Sequence, residues 1–453
     1  MAWSQRMAQT RERTSTPNST EITREPFLEN IPPELRFQIL SSADLPTLKS
    51  LVRASPTYHT QYKTDRDFIL QSCLEAELDG FHVDAYATLK SRVRNLGQRR
   101  SDENITEFLG TYRRWVSGPD PDVNIRLTSP GEVRWLSAFH LSVVLPLAGQ
   151  FCEWTLANLR RAAVSSAQGI SEESQAVTTG GLFMLNKSER IRVLRALYRY
   201  ETYYHLFGRN KGRRIGWFRH SEITEVFFNI MEPWEAEELG CIDSFIRKRY
   251  TDIFNQVKAD LHPDHPSFDG KRGRGDPEGS FELDDFWNDY MDGTISRGIK
   301  IAAHLLTIDD HDQLVAQTAR FLTHRHNLDA SLTRSLSTVA QFDRREDRDY
   351  TPNAKDNAEG VDALVFVGDS VPPRGPPLAW VLVWEGKYVN IYGEYVPEPL
   401  KNWGWVFWDE CRLVDIGVKE LIASQWEAAP ELLEEVKSDY PWLDSLGGSE
   451  TPS

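Results

Sequence analysis

The chain has 453 residues, of which 40% are hydrophobic and 26% charged, close to the globular average, so it can bury a core. Its formal net charge of -15 argues against an extended nucleic-acid surface, because phosphate binding rests on clustered Lys and Arg that release counterions. Cys73, Cys152, Cys241 and Cys411 lie far apart with no CxxC pair, which argues against a zinc knuckle or redox motif and for reduced thiols.

Residues 1–25 are polar, Thr/Ser-rich and without the apolar stretch of a signal peptide, so they are expected to be disordered. No later run approaches membrane-spanning length, which places the chain in the cytosol or nucleus. From residue 30 the sequence NIPPELRFQILSSADLPTLKSLVRASPTYHTQY repeats one pattern three times: a polar capping residue, then Pro near the first helical position. Asn30 stands before Pro32 and Pro33, Asp44 before Pro46, and Ser55 before Pro56. A fourth helix is predicted from a Thr64 cap to a Gly80 stop.

Ser101 heads a helix whose Ile105, Phe108, Leu109, Tyr112 and Trp115 or Val116 share one stripe. The apolar run from Pro130 to Ala163 reads as a long helix or pair, broken or kinked at Pro146. Another helix is predicted from Ser188 to a stop at Gly208. A further one carries Ile242, Phe245, Ile246, Tyr250, Ile253 and Val257 and ends at HPDHP. Helices resume between residues 293 and 342. Flexible insertions are expected near 165–181, 268–281 and 343–360, and a loose tail over 443–453. VDALVFVGD suggests minor β structure within 361–396, and Leu400, Trp403, Phe407, Cys411 and Val414 suggest a buried terminal helix.

Residues 31 to about 62 resemble an F-box, the short helical module by which substrate receptors dock on the Skp adaptor of cullin-based ubiquitin ligases. Ile31, Pro32, Pro33, Glu34 and Leu35 match the opening Leu-Pro-x-Glu-Leu, and Ile39 and Leu40 match the Ile-Leu pair. Leu48 and Leu51 fit the next helix. Ala43 and Tyr58 stand where the family usually has a larger aliphatic and Trp. The opening, RALYRYETYYHLFG, and GKYVNIYGEYVPEPLKNWGWVFWDE together also look like a filamentous-fungal family with no assigned chemistry. The resemblance implies a non-catalytic subunit without cofactor that binds the adaptor through Ile31, Pro32, Glu34, Leu35, Ile39, Leu40, Leu48, Leu51 and Tyr58. Helices this short cannot hide all these apolar side chains among themselves, so some must face a partner or the rest of the chain.

Other residues admit sharper readings. His262, His265, His304, His311, His324 and His326 with Asp312 invite a metal site, but no HExxH or second His-Asp doublet accompanies them; helix termination and core packing account for them more simply. Arg213 and Arg214, in GRNKGRRIG, offer guanidinium forks for a partner's carboxylate or phosphate, against the plainer reading of a solvated turn. Trp405, off the Leu400 stripe, is the aromatic expected to be exposed and so to contact a partner. SVPPRGPP suits a rigid polyproline II connector. The expected architecture is mainly α: an F-box-like module over 26–80 on a large helical body over 81–442.

Overall fold

The computed structural model describes residues 27–92, 94–96, 99–118, 128–166, 181–209, 213–215, 218–270, 276–323, 332–339, 363–389 and 393–439. The expected flexible segments at 1–25, 343–360 and 443–453 lie outside these. The fold is mainly α, as the periodicities require.

A 3-10 turn at Phe27–Glu29 leads into α1 (Pro33–Ser42), α2 (Leu45–Ala54) and α3 (Pro56–Glu77). Two of the three expected caps form. Asp44 accepts the Thr47 amide at 2.7 Å and Ser55 accepts that of Tyr58 at 3.3 Å. Asn30 does not cap α1: Pro32 occupies the cap position with no side-chain bond, and the Arg36 guanidinium instead donates to the carbonyls of Glu29 and Ile31. The expected third and fourth helices are one element, kinked at Asp65 (φ -112°, ψ 20°) rather than restarted at Thr64. Gly80 follows with φ +94°, and a Cβ there would stand 2.5 Å from Ile191 Cδ1, so only Gly permits both the turn and this approach.

Next come α4 (His82–Lys90), strand β1 (Arg99–Ser101) and α5 (Asp102–Ser117), capped by Ser101 as expected. Its stripe is buried through Trp115, while Val116 is exposed. The long apolar run forms α6 (Pro130–Phe139), a π-turn at His140–Val144 and α7 (Leu145–Ser166). The interruption sits just before Pro146, where the missing amide would otherwise break the i to i-4 ladder. Contrary to the sequence expectation, Pro130–Ser165 is long and apolar enough to cross a membrane, with 56% of its most apolar window buried inside the fold.

The central helix, α8 (Lys187–Phe207), has Asn186 and Glu189 as a capping box and is buried over almost its whole length. Strand β2 (Arg213–Ile215) pairs in parallel with β1, followed by α9 (His220–Val226) and α10 (Pro233–Leu261), whose predicted apolar stripe is entirely buried. Then come α11 (Trp287–Ile295), α12 (Ile299–Leu305), α13 (His311–Phe321) and α14 (Leu332–Val339). The last region holds α15 (Leu378–Trp384), α16 (Glu398–Asn402), α17 (Glu410–Val414), α18 (Val418–Glu427) and α19 (Pro430–Asp439).

Two expectations fail here. Among the described residues of 361–396 there is no strand; residues 363–370 are irregular, and the one strand pair among all the described residues is β1 with β2. Nor is there a single helix through Leu400 and Val414. Gly404, at φ +68°, turns the chain between α16 and α17, so Leu400, Trp403 and Phe407 are buried while Cys411 and Val414 are exposed.

One hydrophobic cluster runs from Leu40 in α1 to Val436 in α19. Helices α1 and α2 lie on α3, α3 lies on α6, and α4 and α10 flank α8. The N-terminal helices and the body therefore share a core.

Candidate functional site

Helix α1 divides the residues matched to the F-box. Leu40 is fully buried, and Cys73 of α3 donates its thiol hydrogen to the Leu40 carbonyl at 3.1 Å. Leu48 and Tyr58 are also buried, with the Tyr58 hydroxyl on the Leu28 carbonyl at 3.1 Å. These three side chains are structural: they join α1, α2 and the Phe27 turn to α3, and a partner cannot reach them without opening that packing.

Leu35 and Ile39 behave differently. They stand four residues apart, one turn above the other, and are 47% and 36% exposed. Pro32 and Glu34 are exposed beside them, while Ile31 and Leu51 are half-buried. Phe37 turns toward α3, its ring 5.3 Å from that of Phe68. The helix thus has one face fixed in the core and another with apolar side chains in water, and its register is set by Leu40 rather than by the outward pair.

The other sequence candidates are placed plainly. Trp405 is fully buried, which overturns its expected exposure: the Gly404 turn sends the chain inward, and Trp403, Trp405 and Trp408 all enter the core. Arg213 and Arg214 lie in β2, in register with Arg99 and Arg100, rather than in a turn. Arg100 itself is buried and donates to the carbonyls of His205, Leu206 and Gly208, closing the C-terminus of α8. Pro373, in the proline-rich segment, is buried and its carbonyl accepts from Arg195 at 3.4 Å.

Among the described residues no three His, Cys, Asp or Glu side chains are grouped to hold a metal. His311 approaches Asp260 at 3.2 Å, whereas His304 is exposed, with its ring 5.9 Å from Phe321, and not a core residue. His324 and His326 lie outside the described residues.

The feature that sequence reasoning missed is the charge inside α8. Arg192 meets Asp409 at 2.6 Å and Asp369 at 3.0 Å; Arg195 meets Glu235 at 2.8 Å and Glu238 at 2.5 Å; Arg199 meets Asp84 at 2.7 Å and Glu235 at 3.0 Å. At the head of α8, Glu189 holds Arg412 at 2.8 Å. Burial opposes the charge on Glu235, but Arg195 and Arg199 draw its carboxyl down to about 2. Glu237, next to Glu238 in the chain but on another side of the helix from the ladder, has no such partner. Burial pushes it up to about 8 against the pull of Lys401 and the Gly393 amide, and its Oε2 has no hydrogen bond. Arg192, Arg195 and Arg199 fall at i, i+3 and i+7, one stripe of the helix. That spacing is the signal available in the sequence, and it was masked because arginines ordinarily lie on the surface.

These charges are paired and enclosed, an arrangement suited to fixing helices rather than to chemistry on a substrate. The outward face of α1 is the candidate functional surface. No family model matches the chain, and no curated protein or solved structure matches it either.

Proposed function

We propose that the chain is a non-catalytic recruiting subunit, docking on the Skp-type adaptor of a cullin ubiquitin ligase through α1 while its helical body holds a protein target. The covalent step belongs to other subunits. This chain acts by proximity, raising the local concentration of the target's lysines near the transferred ubiquitin. The working compartment is the cytoplasm, the nucleus or both.

The observation that carries this reading is the outward position of Leu35 and Ile39, both in the matched motif, on a helix whose other side is locked by Leu40. The docking set narrows to Ile31, Pro32, Glu34, Leu35 and Ile39, with Leu51 at its margin. Full burial of one aliphatic side chain yields roughly 1.5–3 kcal/mol. Ile31, Leu35, Ile39 and Leu51 are already partly covered, so together they supply about 3–6 kcal/mol of that. Association costs about 4–15 kcal/mol. The apolar face alone therefore sets position, and a stable complex requires polar contacts such as Glu34 as well.

A second reading is a structural or interaction protein whose F-box-like helices recruit no ligase. It is favoured by the fusion of those helices to the body: Lys187 meets Asp79 at 2.5 Å, Arg190 binds Glu77, and Leu40 belongs to the common core. Co-purification of the full chain with a Skp-type adaptor separates the two. Capture by the wild type and loss with Leu35→Asp supports docking; no capture of the wild type leaves the second reading.

A further inference from the structure

A cleft of about 740 Å³ opens between α6, α8 and α12, far larger than a packing defect and within the range of small-molecule sites. Its apolar wall is made by Trp135, Phe139, Val143, Ile301 and Leu322. Its charged residues are Arg92, Arg209, Arg297 and Lys300, against the single carboxylate of Glu201. In a chain of net charge -15 such a local excess of cations is unexpected.

Among the described residues, the carboxylates at and beside the cleft are already engaged. Glu201 is buried, with Oε2 accepting the Ile299 amide at 2.8 Å and Oε1 facing His205 Nε2 at 3.2 Å. Its position is fixed further by Gly298, at φ +86°, where a Cβ would stand 2.5 Å from Oε2. Glu132, beside the rim, is engaged by Lys90 at 2.8 Å and by the Ser129 amide at 3.2 Å. Arg92 and Arg297 are held in place by neutral groups. The Arg92 guanidinium lies over the Trp135 ring at 4.1 Å. Arg297 donates to the Phe321 carbonyl at 3.0 Å and the Thr323 hydroxyl at 3.3 Å. Burial and neighbouring Arg94 hold Arg92 below its ordinary range, and burial and Arg209 do the same to Arg297.

We propose that this cleft binds a small organic anion, with its carboxylate or phosphate head on the Arg92, Arg297 and Lys300 side and its apolar or planar body against Trp135, Phe139 and Ile301. A guanidinium fork suits either head by paired hydrogen bonds. Small size follows from the charge distribution. A polyanion would meet the field of an acidic protein outside the cleft, whereas a small anion inside it senses chiefly charges within about 8 Å, the Debye length at physiological salt. The site is independent of adaptor docking, because no residue of α1 lines it.

The test is calorimetric titration of the full chain with phenyl phosphate and with benzoate, alongside inorganic phosphate and benzyl alcohol. One of the aromatic anions is expected to bind saturably at one site, at least roughly tenfold tighter than either half-probe, and to weaken with added salt. Arg92→Ala, at a half-buried position, and Lys300→Ala, at an exposed one, are each expected to weaken it by roughly tenfold or more, Lys300→Ala without lowering the melting temperature. Lys49→Ala, on α2, leaves it unchanged. Absence of saturable binding at millimolar probe, equal binding of benzyl alcohol, or retention of affinity in both variants overturns the proposal.

Discussion

Helices α1 and α8 invert the usual relation between composition and place. The first leaves Leu35 and Ile39 in water, whereas the second buries Arg192, Arg195 and Arg199. In α8 every buried guanidinium is met by carboxylates from other elements, so the charges fix how α4, α8 and α10 assemble. In α1 the outward aliphatics meet nothing among the described residues that covers them fully. A residue's partners decide its burial more than its type does, and unpartnered apolar residues on an anchored helix are where an external partner is sought.

The largest effect is expected in α8. Arg195→Met leaves Glu238 buried without its counterion and should cost about 3–5 kcal/mol in urea unfolding. Arg195→Met with Glu238→Met should recover part of that loss, since a buried pair replaced by apolar groups is often neutral and Glu235 keeps Arg199. If the single variant is no less stable than the wild type, the ladder is not what holds α8.

Adjacent residues of α1 should then diverge. Leu40→Ala removes a fully buried side chain and should cost about 2–5 kcal/mol. Ile39→Asp, at a position about a third exposed, should cost less, about 1–2 kcal/mol. Equal losses would mean that α1 has no free face.

Glu237 sharpens the contrast through pH. Its carboxyl titrates near 8 in the folded chain against an ordinary 4.5, so between these values the unfolded state releases a proton that the folded state keeps. Glu238, also pushed up by burial, to about 7, adds to the same fall, so stability should drop as pH rises through that window, by about 1.4 kcal/mol per unit for each carboxyl at most, and level off above it. Glu237→Gln should make this part of the profile shallower in urea titrations, leaving the share of Glu238; an unchanged slope would place the titration elsewhere.

Much of this architecture was legible because its punctuation is local. Asp44, Ser55 and Ser101 cap the helices they precede, and the Ile242 to Val257 stripe is buried as its period requires. The failures have physical causes of two kinds. Thr64 and Asn30 lost to tertiary geometry: α3 continues through a kink, and α1 starts on Pro32. The α8 ladder was hidden by sequence distance, since Arg192 finds Asp409 and Arg199 finds Asp84 far along the chain. Trp405 was misplaced because a helical stripe was extended across Gly404, where the backbone turns. On the candidate site, the sequence resemblance grouped outward residues together with Leu40, Leu48 and Tyr58, and separating them required knowing where α3 lies.

The smallest expected change in stability accompanies the largest expected change in binding, at Leu35. Amide hydrogen exchange of the full chain, with and without a purified Skp-type adaptor, reads that surface directly. Added protection should concentrate on residues 31–42 and vanish in Leu35→Asp, with the body unchanged. Exchange over 31–42 that is the same with adaptor present, or protection that persists in Leu35→Asp, would contradict docking through α1.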